Sequence, residues 1–302
     1  MVLALTSASN RPKSRAPVIV IGMHRAGTSM LTRVLQGFGF FMGRDTTRNE
    51  ECRWTNALNY WVFNQASATW ERPSGIDTLL ADQRVRPLTI DYLRGITDGP
   101  ASLGYLGWVR WLRYRSMHRQ PEAWGWKDPR NTYTLPLWLE IFPNARVLHI
   151  TRHGVDVAES LRVRHQAAFD AAAHRYRRRR WLYVNSPLAP KRSGFAHAAS
   201  VANLDYGLDL WQAYTERAQG HARSLGNRAL ELRYEDLLSN PEHHLSRIVE
   251  FCGLRANDSD IRRQAGLFRP DRMFAYQHNP ELIDFADSRR ETLEALGYNA
   301  RN

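Results

Sequence analysis

The sequence predicts an α/β protein of three layers, with helices packed on both faces of a central parallel sheet. Three observations lead there. Short apolar runs, Val18-Ile19-Val20-Ile21 and Arg146-Val147-Leu148-His149-Ile150, read as buried strands. Segments with apolar residues at helical spacing follow these runs, and that alternation is the mark of parallel pairing. The first strand then opens into Gly22-Met23-His24-Arg25-Ala26-Gly27-Thr28-Ser29, with two glycines five apart ahead of a helix.

Strand, glycine turn and helix N-terminus together make an anion cradle. Backbone N–H groups point into the turn, and the helix dipole favours negative charge there. The spacing is that of a P-loop, so the expected fold is P-loop NTPase-like, three-layer α/β/α with a helical insertion. One position departs from the pattern: Thr28 stands where an NTPase has its phosphate-binding lysine. That lysine works on the β- and γ-phosphates, so its absence speaks against ATP or GTP turnover. Arg25 is the substitute cation, and the loop suits a shorter anionic group than a triphosphate.

The other elements follow in chain order. Residues 1 to 16 are small, polar and basic and read as a flexible leader; residues 17 to 302 read as one domain. The loop helix ends at Gly37-Phe38-Gly39, and the stretch to Gly43 has room for a short second strand. A polar segment from Asp45 precedes an aromatic helix from about Trp54 to Trp70. Residues 71 to 120 are helical and turn-like without a strand, an insertion over one side of the sheet. Trp108, Trp111 and Tyr114, at i, i+3 and i+6, share a helix face that is read as core, with a ligand-facing wall as the alternative.

Ala123 to Lys127 reads as a strand that ends in Asp128-Pro129-Arg130, followed by a helix from Thr132 to Phe142. The next strand ends in Thr151-Arg152-His153-Gly154, and a basic helix continues to about Tyr183. Arg175, Arg177, Arg178, Arg179 and Arg180 crowd into six of its residues, which reads first as a solvated face and second as a contact for an acidic partner or nucleic acid. A loop from Asn185 to Ala198 leads to a helix from Leu204 to Leu225, with Leu208, Trp211 and Tyr214 as its core stripe. Ala229 to Arg233 is the last strand. Tyr234 to Pro241 turns into a helix ending near Cys252-Gly253, followed by a short helix, a basic loop from Arg269 to Tyr276 and a C-terminal helix. The candidate residues Arg25, Lys127 and Arg152 lie in or just past the carboxyl ends of strands, where open α/β sheets bind ligands.

Composition fits this reading. The 302 residues are 43% hydrophobic, with ten tryptophans and twelve tyrosines, enough for a large core. A net charge of +12 favours phosphorylated or polyanionic ligands. Cys52 and Cys252 form neither a disulfide framework nor a zinc spacing. No run approaches the roughly 18 apolar residues of a membrane span, and the start is too weakly apolar for a signal peptide, so a cytoplasmic protein is expected.

Arg152 and Ser160 are eight residues apart, one at a strand end and the other about two helical turns on, so a long guanidinium and a hydroxyl can converge on one anion. With the lysine-less loop, the pair resembles the two cofactor signatures of the sulfotransferase family, in the same order. Trp126-Lys127-Asp128-Pro129-Arg130 and Arg233-Tyr234-Glu235-Asp236-Leu237-Leu238-Ser239-Asn240-Pro241 look like further recurrent segments of that family. The resemblance spans roughly residues 18 to 253, with 71 to 120 unsupported. It implies a donor, 3′-phosphoadenosine 5′-phosphosulfate (PAPS), and adenosine 3′,5′-bisphosphate as product, with no metal required. The partner implied is a hydroxyl-bearing acceptor, such as a carbohydrate, a peptide tyrosine or a small molecule, with residues 71 to 120 on the acceptor side.

On that resemblance His24, Arg25, Ala26, Gly27, Thr28 and Ser29 bind the 5′-phosphosulfate end, and Arg152 and Ser160 grip the 3′-phosphate. Arg272, in the late basic loop, closes over the nucleotide. Arg25 neutralises the leaving oxygen and Lys127 faces the sulfonate. The general base is open. Tyrosylprotein sulfotransferases place a glutamate a couple of dozen residues after the loop arginine, which makes Glu51 the first candidate, ahead of Glu50 and Asp128 and then His24. Cytosolic sulfotransferases use a histidine two residues after the lysine, and Pro129 occupies that position here. Two other classes compete: a degenerate P-loop phosphotransferase, and a non-catalytic nucleotide- or nucleic-acid-binding protein that uses the arginine-rich helix.

Overall fold

A computed structural model describes residues 14–187, 194–196 and 198–299. Four parallel strands form the sheet: β1 (Val18–Ile21), β2 (Gly125–Lys127), β3 (Arg146–Thr151) and β4 (Ala229–Arg233), in the order β2-β1-β3-β4. Ile19 lies between Trp126 and Val147, and Leu148 pairs with Val20 and Leu230.

Side chains alternate across a strand, and here the alternation separates two cores. Val18, Val20, Leu148 and Ile150 pack on one face against α1 (Thr28–Gly37), α9 (Tyr234–Ser239) and α10 (Pro241–Cys252). Ile19, Ile21 and Val147 pack on the other against α6 (Asn131–Ile141), α7 (Gly154–Asn185) and α8 (Leu204–Leu225). β1 is buried on both faces, which is why it reads as an unbroken apolar run; each such side chain contributes about 1.5–3 kcal/mol. This is the three-layer α/β arrangement that the sequence predicts.

The insertion, residues 71 to 120, is helical as expected, with α3 (Gly75–Ala81), α4 (Val85–Asp98) and α5 (Leu103–Tyr114); together with α2 (Arg53–Gln65), which precedes it, it covers the second face. The chain after α10 adds α11 (Asp258–Ala265), α12 (Pro280–Ser288) and α13 (Arg290–Ala295), and Tyr298 then tucks against Trp211 and His153. Among the described residues no helix is long and apolar enough to cross a membrane.

Several expectations are corrected. The stretch after α1 supplies no strand, only a single parallel bridge from Phe41 to Trp124, because Gly39 and Gly43 turn the chain with positive φ on either side. The aromatic helix ends at Gln65 rather than Trp70. Trp108 is 62% exposed and Tyr114 is buried, so the supposed core stripe holds at one end only. A left-handed break at Gly107 (φ 72°, ψ 166°) redirects α5 just before Trp108. Residues 1–13 of the expected leader lie outside the described residues. Arg15 is not loose: its N–H donates to the Gln120 carbonyl, its guanidinium to the Gly253 carbonyl, and its own carbonyl accepts from Trp124 Nε1. Of the expected loop from Asn185 to Ala198, Asn185 still belongs to α7, and residues 188–193 and 197 lie outside the described residues.

Candidate active site

The glycine loop crosses from the carboxyl end of β1 into α1. Gly22 N–H donates to Thr132 Oγ1 at 3.1 Å, which ties the loop's first turn to α6. Arg25 adopts φ 73° and Gly27 φ 98°, both left-handed, so the chain bends sharply before α1. A Cβ on Gly27 would lie 2.6 Å from the Tyr234 ring, so the site needs glycine for space as well as for conformation. The Gly27→Ala variant is expected to lose nucleotide-induced stabilisation, read as a vanished shift in melting temperature on adding adenosine 3′,5′-bisphosphate.

The loop and the Arg152–Ser160 pair meet. Arg25 Nε donates to Ser160 Oγ at 2.8 Å. Both regions line one cavity of about 880 Å³, which Arg25, Gly27, Thr28 and Ser29 bound on one side and Arg152, Ser160, Tyr234 and Arg272 on another. Partial desolvation in the cavity wall, and then the Arg152 charge, pulls the Arg25 guanidinium below its ordinary range.

Arg152 is aimed by its surroundings. Its Nη2 donates to Asp156 Oδ2 at 3.0 Å and to the Arg272 carbonyl at 2.8 Å, and its guanidinium lies 4.8 Å above the Tyr234 ring. Its Nε is buried without a partner, a donor that a bound anion can satisfy. Arg272 contributes its carbonyl to this arrangement, while its side chain is exposed.

Lys127 lies outside the cavity wall, beneath Ser29. Its ammonium is 1% exposed and donates to the Asn49 carbonyl, to Glu51 Oε1 at 3.3 Å and to Ser29 Oγ at 3.4 Å. Ser29 Oγ in turn donates to the same Asn49 carbonyl at 2.7 Å. Glu51 accepts from Asn56 Nδ2 through its other oxygen. Burial is the first cause of both shifts: it raises Glu51, helped by the Asp128 charge, and lowers Lys127, while their mutual attraction opposes each change.

The remaining base candidates fall elsewhere. Glu50 sits at φ 61° and turns outward, with its carboxylate 3.7 Å from Arg33. Asp128 is fully buried and spends its oxygens on Asn59, Arg130 and the backbone N–H of Arg130, which fixes the turn after β2. His24 rests its ring edge against Trp70, with Nε2 buried and unpartnered. Burial, then the charges of Arg164, Arg130, Lys127 and Arg25, holds its imidazole well below the usual range, so it stays neutral.

Four residues of the site have no role that the sequence assigns. Asp156 orients Arg152 and also accepts from the N–H groups of Ala275 and Tyr276, which fastens the late loop over the cavity. Its place four residues after Arg152, as the acidic residue in the first turn of α7, is the signal that could have found it. Tyr234 and Glu235 lie in a segment the sequence singles out without a role: Tyr234 floors the cavity, and Glu235 accepts from the His153 N–H at the end of β3. Arg164, one turn past Ser160, lines the cavity and lies 5.2 Å over the Trp70 ring; only tertiary structure reveals it.

The glycine loop, without the P-loop lysine, and the Arg152–Ser160 pair thus share one cavity of an α/β fold. Residues 17–258 match the model of the sulfotransferase family, and the chain belongs to that family. The chain is similar to the sulfotransferase domain of the Synechococcus PCC 7002 olefin synthase, with 16% identity, a TM-score of 0.43, and 90% of this chain and 87% of that one covered. It is similar also to the sulfotransferase domain of the curacin biosynthetic pathway, with 13% identity, a TM-score of 0.45 and 86% and 80% covered. A third is sulfotransferase STF9 from Mycobacterium avium, with 15% identity, a TM-score of 0.41 and 91% and 77% covered. No curated protein matches the chain.

Proposed function

We propose that this sulfotransferase moves a sulfuryl group from PAPS to an acceptor hydroxyl, and that the Arg25–Ser160 contact across one cavity is the observation that carries the reading. PAPS supplies an activated sulfuryl group on a phosphate leaving group. The loop N–H groups from Ala26 to Ser29, with the Thr28 and Ser29 hydroxyls, hold its 5′ end. Arg152, with its unpartnered Nε, and Ser160 hold the 3′-phosphate. Arg25 stands between the two ends and stabilises negative charge on the departing oxygen, the kind of preorganised electrostatics that lowers such barriers most. Lys127, reaching up beneath Ser29, adds charge on the sulfonate side. Arginine and lysine provide all the positive charge this scheme needs, so it calls for no divalent ion.

Glu51 is our choice of base. It is the carboxylate beside Lys127, whereas Glu50 faces Arg33 and Asp128 is consumed structurally. Beyond His24 and Trp70 a second cleft of about 200 Å³, lined by Tyr60, Phe63, Trp70, Glu71 and Arg130, supports an acceptor approaching from the end of α2. Of its lining only Glu71 belongs to residues 71 to 120, so the acceptor side proposed here moves from the insertion to α2.

Nucleotide-dependent melting tests the reading against a degenerate phosphotransferase. Adenosine 3′,5′-bisphosphate without magnesium is expected to raise the melting temperature by roughly 5 °C at a hundredfold excess over Kd. ATP at the same concentration is expected to do much less, because the loop lacks the lysine for its distal phosphates. Equal stabilisation by ATP with magnesium would refute the proposal.

A further inference from the structure

The cavity absorbs Arg25, Arg152 and Ser160 but leaves unexplained the densest charge in the chain. We infer that the outer half of α7 is a docking arm for an anionic lipid surface.

α7 spans 32 residues and breaks at Arg179 (φ −115°, ψ 16°), inside the basic band; the helix up to that break is about 37 Å long at about 1.5 Å per residue, and Arg180 to Asn185 follow as a separate short turn. Its first quarter, to Leu161, is mostly buried beneath α8; beyond that only Ala173 is buried. No aspartate or glutamate occurs between Asp170 and Asp205. Arg175, Arg177, Arg178, Arg179 and Arg180 are all exposed, and none has an ion-pair partner among the described residues. Charge repulsion should thin out such a cluster unless something anionic meets it.

The next turn decides what kind of anion. Trp181, Leu182 and Val184 are 76%, 54% and 57% exposed, directly after the basic band. A soluble polyanion has use for guanidiniums and stacking rings but none for an exposed leucine and valine. A bilayer uses both parts: headgroup phosphates and carboxylates meet arginine, and the interface takes up tryptophan and aliphatic side chains. A second copy of this chain fits poorly, since a symmetric contact would set ten guanidiniums against each other. Tyr176 stacks on Tyr183 (centroids 6.2 Å apart) and meets Phe195 edge-on at 5.0 Å, which braces the arm behind its tip.

Vesicle sedimentation tests this without reference to any acceptor. The full chain is expected to sediment with phosphatidylcholine vesicles that contain phosphatidylserine, to stay in solution with pure phosphatidylcholine, and to be released by high salt. Arg177→Gln with Arg178→Gln should lower vesicle affinity roughly 25-fold, about fivefold for each arginine near the surface. Trp181→Ser with Leu182→Ser should also weaken it at constant charge. Both double variants should keep the bisphosphate-induced melting shift, which reports an intact fold and donor cavity. The inference is overturned if anionic vesicles fail to bind. It is equally overturned if the Trp181/Leu182 pair is dispensable while heparin or RNA binds through the arginines alone, which would make the arm a polyanion contact.

Discussion

Arg25→Ala is expected to lose sulfuryl transfer by about 10²–10³-fold in kcat, the scale found when one preorganised charge-stabilising donor is removed, while the protein stays folded. Arg25 is exposed, and its one side-chain hydrogen bond runs to Ser160 across the cavity, so little stability rests on it. Alanine keeps a Cβ at the same positive φ, so the backbone of the loop is no more strained than with arginine. Donor turnover can be followed as release of adenosine 3′,5′-bisphosphate with a panel of hydroxyl acceptors, and Kd for the bisphosphate by calorimetry. The loss should fall mainly on kcat, because in the proposed assignment the loop N–H groups and Arg152 remain to bind the nucleotide. Arg25→Lys should recover part of the rate: the charge returns, but a point ammonium cannot reproduce the planar fork that meets Ser160 and a phosphate oxygen together. Full turnover by the alanine variant would remove Arg25 from the mechanism.

How much of the fold and the site is legible in the amino-acid sequence depends on the range of the interactions involved. The anion loop is legible because strand, glycine spacing and helix are local, and the missing lysine is a single letter. The sequence places Arg152 at the end of β3 and Ser160 about two turns into α7, and both line the cavity. The contact of Ser160 with Arg25 is not legible, since the β1–β3 adjacency that creates it is a long-range pairing which no spacing records. Trp108 and Tyr114 both follow the break at Gly107, and six residues at 3.6 per turn set them about 120° apart around the helix, so one is exposed while the other is buried. Spacing cannot separate Glu50 from Glu51 either. A single left-handed residue at Glu50 sends one carboxylate to Arg33 and the other to Lys127, and non-glycine residues at positive φ leave no dependable mark in a sequence. Tyr234 shows the same limit: its ring excludes a Cβ at Gly27 and underlies Arg152, two constraints from distant parts of the chain that meet only in the fold.

Glu51→Gln should cost about 10²–10⁴ in kcat, the contribution of a positioned general base, and should reshape the pH profile. Glutamine keeps the volume and can still accept from Asn56 through its carbonyl oxygen, so the fold is expected to survive. In the unmodified protein the proposed base, Glu51, must be ionised. Burial and the Asp128 charge raise its pKa, so activity falls as pH drops through a value above the usual carboxylate range. Lys127 must be protonated, and burial lowers its pKa, so activity also falls as pH rises through a value below the usual lysine range. The two shifts narrow the bell from both sides. Burial and four nearby cations hold the His24 imidazole well below its usual range. The glutamine variant should lose the acidic limb and keep the alkaline one, while Lys127→Met should do the reverse. Such a crossed pattern separates a proton-transfer role from simple loss of an ion pair, since breaking the pair would depress the rate without deleting one particular limb. An unchanged acidic limb in Glu51→Gln would hand the base to another group, and the first place to look would be the cleft where Arg130 and Tyr60 face each other across 5.8 Å.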